Sequence, residues 1–521
     1  MPRPAPLSAV LGIAAAALLA APVAAQTEFA VPLAPGTLRV DFTPLWSSWD
    51  HRYQPGATGP VSISDEFGAE SLGVQTWPFL APWRSQIQDA TGLPGFSVNL
   101  GHTQVTLNAS VRTLPIGLEL GLSRWLSVGV TVPIVRSRVD ASFLVNQDSA
   151  AARHGNVGWN PGWLDSTTVA TFRAQMTAAL AALQTQATSG PPALRSQAQA
   201  AIAALQPFLT VSRTPLLPLA NTLAAESILT RFARADTAYA QLGAQYQAFG
   251  DTLPPLSSAL TLPDSTSTLQ RGDLERMLSD STLPVAADTF GTVVKTGIGD
   301  IPAHATLQFA NGRRYRAQVV FTTRFPTGSA PSATSFLDLG TGTHQLGFEG
   351  ALANDLLLGE RFLIHGVARY GSSMADQVPM RVTPPGLPFA VLAQQAVIRR
   401  QPSPYVALDL APTWMLDDAF SVRVAYDFFT QGATRYSYVT AGDSARVGTP
   451  ASVLDQDTGM RWMRLGGGVT FSTLDRYTRG RASLPYSVTV GYENTIWGGG
   501  GRVPRISAFH INFRAYVKVW K

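Results

Sequence analysis

The residues of this 521-residue chain that could do chemistry are dispersed, and the common catalytic motifs are missing. The seven histidines are widely spaced without a His-Glu-x-x-His run, and no Gly-x-Ser-x-Gly sequence surrounds a serine. The lack of cysteine excludes thiolate metal sites and cysteine nucleophiles. Residues 455–459 have part of a calcium-loop spacing but lack its bidentate glutamate. We therefore expect no enzyme, no metal and no cofactor; a Ser–His–Asp site built across strands is the one catalytic alternative left open.

Charged residues recur instead at every second position of apolar segments. Near the C-terminus, Phe509, Ile511 and Phe513 alternate with His510 and Arg514. This period of two is typical of a β-strand with one apolar and one polar face. A packed soluble core excludes unpaired mid-strand charges, whereas the wet interior of an outer-membrane barrel accepts them and lipid covers the apolar face. The pattern favours a barrel over a soluble sandwich.

The polar faces of all such segments predict seventeen charged residues lining the barrel interior, ten basic and seven acidic. They are Arg39, Asp41, Arg112, Glu119, Asp300, Arg314, Arg316, Arg324, Glu349, Arg369, Asp409, Arg423, Asp427, Arg464, Glu493, Arg514 and Lys518. Two interpretations remain open. These groups either pair across the interior and fill it, or they line a polar passage that mildly favours anions because of the slight cationic excess.

Strand count follows from connections that alternate between short and long, as in outer-membrane barrels. Short links lie near residues 123, 311, 355–360 and 417, and the longer link at residues 473–484 leaves the count open by two. We predict an all-β, antiparallel transmembrane outer-membrane β-barrel of about twelve strands with an inserted α-helical extracellular loop region. Barrel strands occupy residues 26–145 and 298–521, and a long loop occupies residues 146–297.

Tryptophans are expected to form aromatic belts at the two membrane interfaces. The short-turn side would carry Trp125, Trp414 and Trp520, and the long-loop side would carry Trp46, Trp49, Trp462 and Trp497. Scattered core tryptophans are the alternative.

The N-terminus predicts export. Residues 1–25 combine an early arginine, an apolar run of residues 7–21 and a small-residue end, which is typical of a cleavable signal peptide. Only 14% of the residues are charged, against about 25% in ordinary soluble domains. The net charge of +5 is not clustered, so we expect no nucleic-acid partner. The predicted location is the cell outer membrane.

Residues 165–279 differ in composition, being rich in Ala, Gln, Leu and Thr. Apolar residues at helical spacing, such as Phe172, Met176, Ile228 and Phe232, predict three or four helices separated by prolines. We expect these helices to pack against one another in a small bundle within the second extracellular loop. A lid or plug entering the interior is the alternative.

Two regions resemble a known family. Residues 114–133 form a glycine-containing hairpin sequence, and Gly297-Ile298-Gly299-Asp300, Arg324-Phe325-Pro326-Thr327-Gly328 and Leu339-Gly340-Thr341-Gly342 follow in order. Together they resemble the transporter-like outer-membrane barrels named for the meta-pathway of phenol degradation, which are related to fatty-acid and toluene uptake channels. The resemblance implies a barrel that passes small hydrophobic or aromatic compounds.

These observations support two functional hypotheses. The first is a channel or transporter for passive uptake of small molecules, hydrophobic or aromatic ones among them. The alternative is a non-conducting barrel that displays its helical region for surface or partner interaction. Expected partners are outer-membrane lipid and lipopolysaccharide, the barrel-assembly machinery through the C-terminal strand, and a small-molecule solute.

Overall fold

A computed structural model describes residues 33–146, 155–160, 166–264, 267–288, 290–383, 387 and 389–520. The predicted signal peptide, residues 1–25, lies outside these ranges. Within them the chain forms two compact units. Among these described residues, the barrel unit comprises those up to Glu66, Thr106–Ser142 and those from Ala286 to Trp520, and the helical unit comprises those within Phe67–Val105 and Phe143–Val285.

The strands and helices have the following bounds. The strands are β1 Thr37–Phe42, β2 Leu45–Trp49, β3 His51–Tyr53, β4 Val61–Ser62, β5 Thr103–Gly121, β6 Leu126–Val145, β7 Val157–Trp159, β8 Leu216–Pro218, β9 Val293–Ile298, β10 Ile301–Asn311, β11 Tyr315–Phe325, β12 Gly347–Leu358, β13 Phe362–Ser373, β14 Asp376–Arg381, β15 Gln395–Gln401, β16 Tyr405–Met415, β17 Phe420–Gln431, β18 Arg435–Tyr438, β19 Met460–Ser472, β20 Tyr486–Gly499, β21 Val503–Pro504 and β22 Ser507–Lys518. The helices are α1 Ala81–Thr91, α2 Thr167–Ser189, α3 Arg195–Val211, α4 Leu223–Gln247, α5 Arg271–Ser279, α6 Ala441–Val447 and α7 Leu474–Thr478.

The barrel is a closed antiparallel sheet. Going around the wall, the order is β1 with β2, then β5, β6, β9 with β10, β11, β12, β13, β16, β17, β19, β20 and β22. Because β1 and β2 form one interrupted strand, as do β9 and β10, the wall has twelve strands. It closes where β1 pairs with β22, from Thr37 opposite Lys518 to Phe42 opposite Phe513. The prediction of an antiparallel barrel of about twelve strands is confirmed.

Connections alternate in length around the wall. Five links at one end span residues 122–125, 312–314, 359–361, 416–419 and 473–485, the last containing α7. Six links at the other end span residues 50–102, 146–292, 326–346, 374–404, 432–459 and 500–506, and all but the last are longer than any link at the first end. Short periplasmic turns and long extracellular loops are the rule for outer-membrane barrels. We refer to the two ends as the turn end and the loop end.

The two faces of the wall have opposite polarity. Outward positions carry apolar side chains, of which Phe321, Tyr370 and Trp414 are each at least 60% exposed. Inward positions carry buried polar residues such as Asp355 and Asn512. Such an apolar exterior needs lipid around it. None of the described helices is long and apolar enough to cross a membrane.

The helical unit has its own apolar core. Phe232 of α4 contacts Phe172 of α2 and Phe208 of α3, with ring centroids 5.6 and 5.2 Å apart. The apolar stripe of α4 is buried from Ala225 to Tyr246. Helix α1 from the first long link also belongs to this unit, which the sequence did not indicate. It is joined to α4 because Ser227 Oγ donates to the Thr91 carbonyl at 2.6 Å.

Candidate functional site in the barrel interior

Thirteen of the seventeen charged residues predicted to line the interior lie on the inward face of the wall, buried or half-buried. They are Arg39, Asp41, Glu119, Arg316, Arg324, Glu349, Arg369, Asp409, Arg423, Asp427, Arg464, Glu493 and Arg514. They share the parity of buried residues two positions away, as a period of two requires, and most alternate with exposed or half-buried apolar residues.

Four predicted residues lie elsewhere. Arg112 is on the outward face of β5, in line with the exposed Ile116 and Leu118. Arg314 lies in an exposed turn, and Lys518 is the exposed last residue of β22. Asp300 occupies the break between β9 and β10. Three of these predictions were wrong: Arg112 was given the wrong parity, Arg314 lies just before β11 begins, and Lys518 shares the inward parity but lies at the exposed end of β22. Asp300 is buried against the link at residues 326–346.

One interior carboxylate was missed. Asp355 was predicted to begin a turn, but β12 continues to Leu358 and buries this residue completely. Its Oδ1 lies 2.6 Å from Nδ1 of His365 on the neighbouring strand. The described wall strands therefore carry seven inward arginines and seven inward carboxylates. Lys295 on β9 has its own partner, Asp338, at 2.8 Å. With this pair counted, the expected cationic excess is absent from the described interior.

One group of charges lies where the barrel closes; we call it the seam cluster (Arg39, Asp41, Glu119, His304 and Arg514). Arg39 contacts Asp41 through Nε at 2.8 Å and Glu119 through Nη2 at 2.6 Å. Arg514 of β22 reaches Asp41 at 3.0 Å. His304 Nε2 lies 3.6 Å from Glu119. The cluster therefore joins β1, β5, β10 and β22 by side chains as well as by backbone.

A second group lies across neighbouring strands on another part of the wall; we call it the wall cluster (Arg369, Asp409, Asp427, Arg464 and Glu493). Asp409 is directly opposite Asp427, and Asp427 is opposite Arg464. Arg369 Nη1 donates to Asp409, and Arg464 lies close to Glu493. The two like charges are thus flanked by arginines, which offsets their repulsion.

Glycines on the inward face let flat or charged side chains lie against the wall. Arg423 donates from Nη2 to Nε2 of His510 at 3.1 Å. A Cβ at Gly491 would collide with the His510 ring, and one at Gly468 would lie 3.3 Å from Arg423 Nε. Small residues at these positions therefore make room for the pair, beyond the strand curvature to which glycine contributes.

Three aromatic rings form a stacked row on the inward face; we call it the aromatic row (Tyr405, Phe429 and Trp462). The Phe429 ring is 5.4 Å from Tyr405 and 5.2 Å from Trp462, and the latter pair is nearly parallel at 9°. The Arg464 guanidinium lies 4.1 Å from the Trp462 ring centre. The row packs against Val503 and Tyr53 and is almost fully buried, so it places polarisable rings beside the interior charges.

Two of the seven tryptophans assigned to interface belts are therefore misplaced. Trp462 is buried inside, and Trp49 is also buried on the inward face of β2. Trp462 has the same parity as Arg464, a signal that the sequence contained. The other five, Trp46, Trp125, Trp414, Trp497 and Trp520, are exposed.

The link at residues 326–346, which we call the inward loop, packs against the inside of the wall. Ser137, which faces inward on β6, donates to the Gly340 carbonyl at 3.0 Å. Thr341 lies over Gly297 of β9 and donates to the Ile298 carbonyl at 3.0 Å. Residues 335–343 of this loop are all buried. The loop therefore narrows the interior near the loop end.

Asp300 holds this loop. Its Oδ1 accepts the Gly328 N–H at 2.9 Å, and its Oδ2 accepts the N–H and hydroxyl of Thr343 at 2.6 and 2.7 Å. Thr327 adds a bond from its hydroxyl to the Gly299 carbonyl at 2.6 Å. The three glycine-rich segments singled out in the sequence thus meet at one buried carboxylate.

Comparisons with known proteins give similarity to solved structures only. No family model and no curated protein matches the chain. An outer-membrane channel from Pseudomonas putida F1 has 10% identity and a TM-score of 0.42, covering 94% of this chain and 97% of its own. A toluene transporter from Ralstonia pickettii has 7% identity and a TM-score of 0.30, and the match covers 93% of this chain and 90% of the transporter. A monoaromatic hydrocarbon channel has 9% identity and a TM-score of 0.28, and the match covers 96% of this chain and 92% of the channel.

Three features of the described wall establish the class of fold. Strand pairing closes the wall, its exterior is apolar over the membrane-facing strands, and its charges lie inside. The chain is a twelve-stranded outer-membrane β-barrel.

Proposed function

We propose that this barrel is an outer-membrane channel for passive uptake of small hydrophobic or aromatic molecules. The observation that carries the proposal is the aromatic row on the inward face. The row is an apolar cluster among the interior charges, with Tyr405, Phe429 and Trp462 retaining 8%, 4% and 6% exposure beneath Val503 and Tyr53. A planar solute that reaches it can stack on these rings, and offset stacking of aromatic rings is favourable. The sequence resemblance to uptake barrels points to the same class of solute.

The balanced charges suit such a solute better than an ion. Seven arginines and seven carboxylates on the described wall give no net charge that would draw anions or cations inward. The inward loop narrows the path further near the loop end. We expect low ionic conductance combined with measurable uptake of a small aromatic compound.

The test measures uptake of radiolabelled toluene by cells with complete lipopolysaccharide, with and without the barrel. We expect the wild-type chain to raise the initial rate severalfold. Trp462→Ala should lower the gain about two- to tenfold, the range expected from loss of one stacking partner. Trp414→Ala, the matched change on the exterior, should leave the rate unaltered.

Heat-dependent migration on a detergent gel shows that each variant has folded. Equal uptake with and without a folded wild-type barrel would overturn the channel proposal. An equal decrease of toluene uptake in Trp462→Ala and Trp414→Ala would show that the aromatic row has no specific role in uptake.

A non-conducting barrel that displays the helical unit is the second candidate. It is supported by the separate apolar core of that unit and by the ion pairs that occupy the barrel interior. Single-channel recording in a planar bilayer separates the two. A silent barrel that also gives no gain in toluene uptake favours display, whereas a silent barrel with a gain favours uptake of uncharged solutes.

A further inference from the structure

On the neighbouring strands β5 and β6, the outward side chains change from apolar to basic at the same distance from the turn end. The outward residues of segment 114–122 on β5 are apolar, and the next outward residue towards the loop end is Arg112. On β6 the outward residues of segment 128–134 are apolar, and the next is Arg136. Trp46 pairs with Arg112 across β2 and β5, so the change occurs at the level of the loop-end tryptophans.

The two arginines are neighbours. Asn108 and Asp140 line the same cavity, and each lies four residues beyond its arginine on β5 and β6. Because β5 and β6 are antiparallel, this places Arg112 and Arg136 side by side. Both are exposed, and neither has an ion pair with any residue in the described part of the chain. Like charges in contact are unfavourable unless an anion is shared between them.

The cavity directly beyond them is polar and has room for a sugar. It has a volume of about 400 Å³ and is lined by Ser48, Ser110, Ser507, Asn108, Asp140 and Arg505 among others. Ser48 is directly opposite Ser110 on one side and Ser507 on the other. Three hydroxyls therefore form a row across three strands, with an arginine at the edge.

We propose that this exterior patch binds the phosphorylated sugar headgroup of an outer-leaflet glycolipid of the lipid A type. Arg112 and Arg136 take a phosphate, since guanidinium groups pair with phosphate in two-bond geometry. The serine row lies against the sugar. The acyl chains run down the apolar outward residues of β5 and β6 towards the turn end.

The position of Arg112 and Arg136 at the edge of the membrane-facing band favours a lipid ligand over a soluble anion. The apolar outward segment 114–122 covers nine residues. A tilted transmembrane β-strand needs about 9–11 residues to cross the apolar band of the membrane. A phosphate held by Arg112 and Arg136 is therefore at the edge of that band, where a lipid headgroup lies.

The test measures binding of bisphosphorylated lipid A to the full-length protein in detergent by native mass spectrometry. The double variant Arg112→Gln, Arg136→Gln should bind about thirtyfold more weakly, since each basic residue at a charged membrane surface contributes roughly fivefold. Arg313→Gln with Arg314→Gln removes two exposed charges at the turn end and should change binding less than twofold.

Three outcomes overturn the proposal. The first is unchanged affinity in the Arg112→Gln, Arg136→Gln protein with a normal gel shift. The second is equal affinity of the wild-type protein for dephosphorylated lipid A, which would leave the arginines without a role. The third is displacement of lipid A by equimolar inorganic phosphate, which would assign the site to a soluble anion.

Discussion

The barrel unit buries charged side chains and exposes apolar ones, whereas the helical unit buries apolar side chains and exposes polar ones. On the barrel wall the fully buried residue can be a carboxylate, as with Asp355, while Phe321 is 61% exposed. In the helical unit Phe172 and Met176 are buried and polar residues such as Gln175 are on the surface. Both units obey one rule, that apolar surface avoids water, but the barrel has lipid outside and the helical unit has water.

The two units therefore depend on different interactions. Every wall strand of the barrel is hydrogen-bonded on both sides, and its interior side chains are joined by ion pairs. The helical unit depends on ring and aliphatic contacts between helices. A substitution should act on one unit through packing and on the other through charge.

The largest expected effect is on the apolar core of the helical unit. Phe232→Ala removes a ring that contacts both Phe172 and Phe208 and should destabilise this unit by about 4 kcal/mol, as large-to-small core changes do. Circular dichroism at 222 nm should show the helical transition at lower temperature. The gel shift of the barrel should persist. Phe249→Ala, at a residue 59% exposed, is the control. Parallel loss of both signals would mean that the units unfold together.

Breaking the seam cluster should be the next largest effect. Arg39→Met leaves Asp41 and Glu119 without the guanidinium that lies 2.8 and 2.6 Å away and should cost about 3 kcal/mol. This loss of stability is measured as a lower denaturant concentration at the midpoint of the transition in which the heat-dependent gel shift disappears. Adding Glu119→Gln should restore part of the stability. Arg124→Met in an exposed turn is the matched control, and an equal decrease there would contradict a specific role for the cluster.

Alkaline pH should weaken the helical unit by about 2 kcal/mol through Tyr239. Burial, with Asp236 as the second cause, raises the pKa of Tyr239 to about 12. Its hydroxyl donates to the Pro254 carbonyl at 2.7 Å. Because the folded pKa exceeds the unfolded value near 10, this stabilisation is complete below pH 10 and is lost as the pH rises to about 12.

Thermal melts of the helical signal at pH 9 and pH 11 measure about half of this change, because pH 11 lies midway between the unfolded and folded pKa values. Tyr239→Phe should have a smaller decrease between these two pH values than wild type. An identical decrease in both proteins would assign the alkaline loss to other groups.

The smallest effect concerns the inward loop. Asp300→Asn keeps an oxygen but loses the charge that attracts the N–H groups of Gly328 and Thr343, a change of about 1 kcal/mol. Amide hydrogen exchange at these two residues should be about fivefold faster, while the barrel keeps its gel shift. Asp65→Asn, at an exposed position, is the control. Unchanged exchange would show that the loop is held by its other contacts.

The barrel could be predicted from sequence because a period of two is a local property of each strand. Segments such as Tyr405–Met415 alternate strictly, and their inward residues were identified correctly. Parity was less secure at Arg112, in the middle of β5, because the apolar residues before it (Val105 to Val111) face inward and those after it (Leu114 to Leu118) face outward. At Asp355, near the end of β12, the decision depends on the length of the paired strand, which lies elsewhere in the chain.

Contacts between segments far apart in the sequence could not be predicted from the alternation of residues along single strands. The meeting of Asp300 with Gly328 and Thr343 depends on how the inward loop folds back. The sequence marked these three glycine-rich segments but not their convergence. Trp462 is different, since its parity with Arg464 already placed it inside; an interface-belt expectation for tryptophan outweighed that signal.

The pairing of β1 with β22, which closes the barrel, is expected to be the last step of its assembly. Asp41 and Arg514 are 473 residues apart, so their contact has one of the largest sequence separations in the chain. Contacts of this kind form late, because the whole intervening chain must be arranged before they can be made. Until then β1 and β22 are open sheet edges that can pair with other chains. Side-chain charges that recognise each other across this gap give the last closing step a specific register.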